Sequence, residues 1–250
     1  MKKSEILLLL FISLLLYGCD RSGSAHTDPV ASREDPERAL RYHPDGGDFV
    51  IVNGERRFNR ALYGTHTGFR VETGDLPEFA MYLRGMGGNF KMGLASGDRS
   101  LWITDAGQIT ARYRPGTMLY EIRDPMLGKG TLNLQVLALA DEEGMVIRAA
   151  GTDIDPGVQL VWAYGGANGK HFSREGDIGA NPESVFYLKP EYCEGNRFET
   201  EGNSFSLVFT SVRSGEKERI FGLVPPGGTL KICDAGAQDS PGTLLQSGSG

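Results

Sequence analysis

A segment of about 20 residues, GGANGKHFSREGDIGANPES, holds the polar side chains best suited to contact a ligand. It follows an alternating apolar stretch that ends at Tyr164, and it has almost no apolar periodicity of its own. Loops of this length in compact domains are usually functional or disordered. Because glycines alternate here with charged and aromatic residues, we predict a folded, ligand-facing loop. Its predicted ligand-binding side chains are His171, Arg174, Asp177 and Glu183.

Aromatic residues flank this loop on both sides. Trp162 and Tyr164 alternate on one face of the strand predicted before it, and Phe186 and Tyr187 follow it. Sugar rings stack on aromatic side chains, while sugar hydroxyls bond to Asp, Asn, Arg and His. The pattern therefore predicts a glycan-binding surface that includes Trp162 and Tyr164. The alternative is that these two rings pack in the protein core.

Several other chemistries lack the residues they need. The stretch GGANGKH has the wrong spacing for a phosphate loop, and no G-x-S-x-G nucleophile motif is present. The four histidines show no paired metal-ligand spacing, so we predict no metal site. Weak calcium binding by Asp153 and Asp155 is the alternative to a simple turn. Carboxylates are plentiful, but nothing in the sequence pairs two of them across a cleft, so the catalytic residues stay unknown.

The charge and the cysteines restrict the partners. The net charge is −6, and the 26 Lys and Arg residues are scattered, which excludes nucleic acid as an expected partner.

Of the three cysteines, Cys19 belongs to the N-terminal segment described next. Cys193 and Cys233 remain, and they form either a disulfide or two buried free thiols.

The N-terminal residues form a targeting segment. Two lysines precede an apolar run at residues 6–16, which is too short for a permanent membrane span. Leu16, Tyr17, Gly18 and Cys19 then resemble a bacterial lipobox, which predicts a signal peptide at residues 1–19 and lipidation of Cys19. Ordinary cleavage near Ser24 is the alternative. Residues 20–47 are polar and are predicted to be a flexible tether, so we expect a lipid-anchored protein of the outer membrane.

From residue 48 onward, short alternating runs are separated by turn residues. Asn53-Gly54 between two such runs predicts a β-hairpin over residues 49–58. About 16 candidate strands without an amphipathic helix predict an all-β fold, one large β-sandwich of the supersandwich type at residues 48–245. The tail QSGSG at residues 246–250 is typical of a linker, which suggests a longer natural chain.

Three segments resemble a known bacterial family, domain of unknown function 4450. They are TGDLPEFAMYLRGMGGNFKMGL at residues 73–94, YRPGTMLYEIRDPMLG at residues 113–128 and WAYGGANGKHFSREGDIGANPESVFYLKPEYC at residues 162–193. The resemblance extends from residue 48 to the end of the chain. Such proteins are found mainly in Bacteroidetes, are commonly lipoproteins, and carry this region before a helical domain resembling glycoside hydrolases. The resemblance carries over no catalytic residue.

What the resemblance implies is a β-sandwich module of an envelope protein that degrades polysaccharides. Its partners would be a glycan, the membrane through its lipid anchor, and a carboxy-terminal catalytic domain. The residues themselves allow two alternatives. One is a free-standing glycan-binding or structural envelope module, and the other is a glycan hydrolase or lyase in its own right.

Overall fold

The computed structural model describes residues 40–83, 87–169 and 186–249, and this part of the chain contains fifteen strands. The strands are β1 (His43–Asp45), β2 (Asp48–Val52), β3 (Arg60–Leu62), β4 (Arg70–Thr73), β5 (Glu78–Tyr82), β6 (Asn89–Ser96), β7 (Arg99–Trp102), β8 (Gln108–Arg114), β9 (Thr117–Arg123), β10 (Thr131–Ala138), β11 (Met145–Thr152), β12 (Gln159–Gly165), β13 (Arg197–Glu201), β14 (Ser204–Thr210) and β15 (Lys217–Leu223). One short α-helix, α1 (Pro241–Ser247), follows them.

The strands form three antiparallel sheets. Sheet A has the order β1-β2-β8-β9-β10-β11. Sheet B has the order β12-β6-β5-β4-β3, with β7 also paired to β6. Sheet C has the order β13-β14-β15. The predicted all-β sandwich is therefore confirmed.

Sheets A and B enclose the main core between them. The inward side chains of β8, β9 and β10 alternate with exposed ones, as expected for a sheet with one solvated face. Tyr120 of sheet A contacts Phe79 of sheet B, with ring centroids 5.7 Å apart. Its hydroxyl donates a hydrogen bond of 2.8 Å to the carbonyl oxygen of Gly74. The ring of Tyr120 is thus held by both packing and a polar contact.

Sheet B is covered on both faces at its centre. Every residue of β4 and β5 is buried, although the outward residues include Arg70, Glu72 and Glu78. Arg70 forms an ion pair with Glu72, and Arg57 lies 2.9 Å from a carboxylate oxygen of Glu78. Pairing of this kind is what makes burial of charges tolerable. Burial raises the pKa of Glu72 despite the opposing influence of Arg70.

The residues just before β1 are bound to the fold through Asp75. This carboxylate is fully buried and accepts hydrogen bonds from Arg41, Tyr42, the backbone N–H of Arg56 and the side chain of Asn59. Strand β1 then pairs with β2. The tether predicted at residues 20–47 is therefore wrong for residues 41–47, which belong to the sandwich. The polar composition of this stretch predicted a tether because it gives no sign that Arg41 and Tyr42 bond to the distant residue Asp75.

The hairpin predicted at residues 49–58 does not form. Asn53 does adopt the positive φ of 49° that was expected of a turn. However, its backbone N–H donates to the carbonyl of Ile109, and its side chain accepts from the N–H of the same residue. Strand β2 therefore pairs with β1 and β8, and the chain passes from sheet A toward sheet B.

The C-terminal residues are more ordered than a linker. Gln246 and Ser247 lie in α1, whose N-terminus is capped by Ser240, and Ser249 forms an antiparallel bridge with Ile232. The helix packs on β7, where the N–H of Gly242 donates to the side chain of Ser100. The linker predicted at residues 246–250 is thus wrong for residues 246–249. A seven-residue helix is too short for the sequence pattern to reveal.

We predict that Asp75→Ala lowers the free energy of unfolding by about 3 kcal/mol, because several buried donors lose their acceptor. Burial by itself raises the pKa of Asp75, but hydrogen bonds from Tyr42 and Arg56 and the charge of Arg41 outweigh it and leave the pKa below its usual value. A carboxylate with a depressed pKa stabilises the fold above its unfolded pKa, and this contribution is lost as the pH falls through the folded value.

The measurement is urea unfolding of both proteins at neutral and acidic pH. The stability difference between them is expected to shrink in acid. Asp98→Ala, at an exposed turn, serves as the control and is expected to change stability by less than about 0.5 kcal/mol. Equal urea midpoints for Asp75→Ala and the native protein would contradict the prediction.

Candidate ligand-binding cavity

A cavity of about 840 Å³ lies beside β12, at the edge of sheet B. Among the described strands, β12 pairs only with β6, so its other edge faces this space. The remaining walls come from residues 188–196, from β13 and β14 of sheet C, from residues 227–235 and from α1. The volume is within the range of small-molecule sites, which are lined mostly by apolar and aromatic groups with a few polar ones.

Trp162 lines the cavity, and two other aromatic rings pack against it. It stacks on Phe90 with centroids 5.6 Å apart and an interplanar angle of 10°, and Phe205 approaches it at 5.8 Å. These contacts match the alternative that the sequence left open, in which the ring packs between sheets. The indole is only half-buried, so its contact with a glycan stays a prediction.

Tyr164 also lines the cavity and is held in place by its surroundings. Its ring packs against Phe205 at 5.8 Å, and its hydroxyl donates to the carbonyl of Gly87 at 3.3 Å. Burial raises the pKa of Tyr164, so the phenol remains a protonated donor. The hydroxyl would lie 2.3 Å from a Cβ at Gly88, which also has a φ of +135°. Glycine at position 88 therefore makes room for the Tyr164 side chain.

Two amide side chains fix the cavity walls. Asn196 donates to the carbonyl of Ala167 at 2.6 Å, which ties the end of β12 to the residues before β13. The side chain of Gln238 donates to the carbonyl of Leu188 at 2.7 Å, and the backbone carbonyl of Gln238 accepts from the indole N–H of Trp102 at 2.8 Å. Segments far apart in the sequence are therefore joined to one another around the cavity.

The polar lining is acidic. Glu191, Glu194 and Asp234 are exposed carboxylates in the wall, and Lys231 is the one cation among the lining residues, which gives a net charge of −2. Thr200, Thr229 and Gln159 add neutral hydrogen-bonding groups. Such a lining disfavours anions and suits a neutral ligand that presents both apolar surface and hydroxyl groups.

Cys193 and Cys233 both line this cavity. Both are half-buried free thiols in the structure, so the disulfide that the sequence left open is not formed here. Burial raises the pKa of each thiol, although the backbone N–H of Gly166 and the side chain of Ser247 act in the opposite direction. Both therefore stay protonated and weakly nucleophilic at neutral pH.

The other predicted ligand residues cannot be compared with this geometry. His171, Arg174, Asp177, Glu183 and the proposed lipidation site Cys19 all lie outside the described residues. They stay predictions, and the structure describes only residues 165–169 of the predicted loop together with the residues on either side of it.

Both ends of that loop are attached to the sandwich. On one side, the carbonyl of Asn168 accepts from the N–H of Val212 at 2.9 Å. On the other side, the carbonyl of Phe186 accepts from the side chain of Asn89 at 2.7 Å.

Much of the cavity wall was missed by sequence reasoning. Phe198 and Phe205 were assigned to strands but not to a site, and residues 227–235 carried no signal beyond one candidate strand. The alternation of Phe205, Leu207 and Phe209 along β14 indicates an apolar face, and that face packs on β12. No local pattern shows that this face and residues 227–235 meet.

No metal site and no membrane span are found among the described residues. They contain no group of three or more His, Cys, Asp or Glu side chains placed to hold a metal ion. Calcium binding at Asp153 and Asp155 therefore stays a prediction. Within the same ranges, no helix is long and apolar enough to cross a membrane.

The fold and the cavity define an all-β sandwich protein with a ligand-sized space at an open sheet edge. The chain belongs to the family described as Domain of unknown function (DUF4450), whose model matches residues 83–249. The family membership suggested by the sequence is thus confirmed over residues 83–249. Searches of curated proteins and of solved structures each found no match.

We predict that Trp162→Ala lowers the free energy of unfolding by about 3 kcal/mol, because it removes the stack on Phe90 and the contact with Phe205. Trp162→Phe keeps an aromatic ring there and is expected to cost less. Tyr63→Ala removes an exposed aromatic ring and is the control, with an expected change within about 0.5 kcal/mol. Thermal unfolding of the three variants tests this, and an unchanged melting temperature for Trp162→Ala would rule out the packing role.

Proposed function

We propose that this protein is a non-catalytic β-sandwich module of an envelope lipoprotein that takes part in polysaccharide degradation. In this proposal, residues 1–19 direct export, Cys19 carries the lipid that anchors the protein to the outer membrane, and the sandwich binds a glycan. The module is the amino-terminal part of a glycoside hydrolase and packs against a carboxy-terminal catalytic domain.

The cavity beside β12 is the observation that carries the proposal. It combines aromatic walls with neutral hydrogen-bonding groups, and its volume of about 840 Å³ leaves space for more than one sugar ring. The acidic lining favours a neutral saccharide over an anionic one. Because hydrogen bonds of Asn196 and Gln238 already join the segments that form the walls, a ligand would enter a largely preformed site.

A second feature supports a partner domain. Phe221 and Leu223 point outward from β15, the edge strand of sheet C, and are 73% and 81% exposed. Their neighbours across the sheet on β14 are Ser206 and Ser204. Exposed apolar groups on an edge strand are typical of a surface that another domain or protein covers. A free-standing binding or structural module would leave them in solvent.

Catalysis by the sandwich itself is the second candidate, and one observation favours it. The cavity wall contains three carboxylates, and glycosidases need two of them on opposite sides of the scissile bond. A general acid, however, is a carboxyl group that its surroundings keep protonated. Glu191, Glu194 and Asp234 are all exposed to solvent, which does not provide such surroundings. We therefore favour recognition over catalysis.

The test is a glycan-array screen of the purified protein together with an assay for reducing-sugar release. We expect binding of a neutral oligosaccharide without release. Thr200→Trp places a large ring in the cavity from its exposed position on β13 and should weaken binding at least tenfold, about 1.4 kcal/mol. Thr210→Trp, on an exposed position of β14 outside the cavity wall, is the matched control and should bind normally.

Each other result changes the proposal. Sugar release would establish an enzyme and make the three cavity carboxylates the first residues to substitute. If Thr200→Trp binds the glycan as tightly as the native protein does, the binding site lies outside the cavity. Neither binding nor release by a folded protein would favour a structural module.

The predicted loop has its own test. Arg174→Ala combined with Asp177→Ala should reduce glycan affinity if the loop contributes to the site, because two charged hydrogen-bonding groups are removed. The measurement is the dissociation constant for the same oligosaccharide. Unchanged affinity in the double variant would assign the loop to the scaffold alone.

A further inference from the structure

The outer face of sheet A carries a polar groove of about 480 Å³ that crosses four strands. Strand register places its residues in two parallel rows. The first row consists of Thr110, Glu121, Asn133 and Ala150, and the second of Arg112, Leu119, Gln135 and Arg148. With strands about 4.8 Å apart, each row extends about 14 Å between its outer Cα atoms. The groove therefore has the length of an extended chain of small units rather than of a single small molecule.

The polar groups of the groove are largely free to bind a ligand. Within the described ranges, Arg148 makes no ion pair, and the side chains of Asn133 and Gln135 make no hydrogen bond. Arg148 and Asn133 are exposed. Between Arg112 and Gln135 lies the half-buried side chain of Leu119, which adds a small apolar surface.

The local charge of the groove is opposite to that of the whole protein. Arg112 and Arg148 face one carboxylate, Glu121, so the lining has a net charge of +1 in a chain of net charge −6. Glu121 is itself paired with Arg123 at 3.0 Å. Arg112 is paired with Asp45 at 2.9 Å and with Asp48 at 3.4 Å, whereas Arg148 has no such partner among the described residues. Arg148 is therefore the strongest anion-binding group of the groove.

We propose that this groove binds an oligosaccharide that carries carboxylate groups, a uronic acid chain. Arg148 binds a carboxylate through its planar guanidinium, a geometry that permits two parallel hydrogen bonds. Asn133 and Gln135 bond to ring hydroxyls, and Leu119 contacts the C–H face of a sugar. The inference rests on the proposed glycan-binding function and adds a second surface with the opposite charge preference to the cavity beside β12.

The experiment is calorimetric titration of the purified protein with oligogalacturonate and with the same oligosaccharide after reduction of its carboxyl groups. We expect the native protein to bind the acid form more tightly, and this difference to disappear at high ionic strength because the groove is solvent-exposed. Arg148→Ala should weaken binding of the acid form about tenfold, and Arg148→Lys less, because the charge remains but the paired geometry is lost. Gln135→Ala should weaken both forms.

Two control variants separate the groove from other surfaces. Arg219→Ala removes an exposed arginine of sheet C and should leave oligogalacturonate binding unchanged. Thr200→Trp blocks the cavity and should also leave it unchanged. If Thr200→Trp abolishes neutral glycan binding while Arg148→Ala has no effect on the acid form, the groove proposal fails and the proposed function stands.

Three further outcomes would overturn the groove proposal. One is that the native protein does not distinguish the acid from the reduced oligosaccharide. Another is that polyglutamate binds as tightly, with the same dependence on Arg148, which would assign the groove to an acidic peptide. The third is a dimer in solution that Arg148→Ala dissociates, which would assign the groove to a second copy of this chain.

Discussion

The pairing of charges on the outer face of sheet B is the constraint on which the rest of the structure depends. One face of this sheet forms the core with sheet A, and the other is covered as well, so Glu78 cannot reach water. Leaving one such charge unpaired would cost about 3–5 kcal/mol. Arg57 provides the counter-charge for Glu78, and Asn89 bonds both to Glu78 and to the carbonyl of Phe186. The same network therefore fixes the position of the backbone at Phe186.

Alternating hydrophobicity was enough to predict most strands, and β8 was placed at its observed bounds because its pattern is local. The wrong predictions of the hairpin and of the tether have a common cause. Asn53 has the backbone of the expected turn, but its hydrogen-bonding partner is Ile109, and Tyr42 is buried only because Asp75 is near it in space. The cavity shows the same limit. The sequence predicted that Trp162 contributes to a site. The other walls come from segments distant in the sequence, and no short sequence pattern predicts that these segments contact one another.

The two candidate binding surfaces differ mainly in charge and shape. The cavity beside β12 is larger, aromatic and acidic, and the groove on sheet A is smaller, amide-rich and basic. A polysaccharide that alternates neutral and acidic sugars would be held at two places by one domain. Two binding sites on one domain hold a chain more tightly than either site alone when the chain can occupy both at the same time. Such a domain would retain a long chain while releasing short fragments.

The contacts of Asp75 also determine how the domain would respond to mechanical force. Any tension that reaches the sandwich from its N-terminal side meets Arg41 and Tyr42 first, and both are bound to a buried carboxylate. The force is therefore passed into the β4–β5 connection of sheet B before it reaches the three residue pairs between β1 and β2. An edge strand pulled directly would separate one hydrogen bond at a time, whereas here several contacts must break together. The domain should consequently resist pulling from this end more strongly than the short length of β1 suggests.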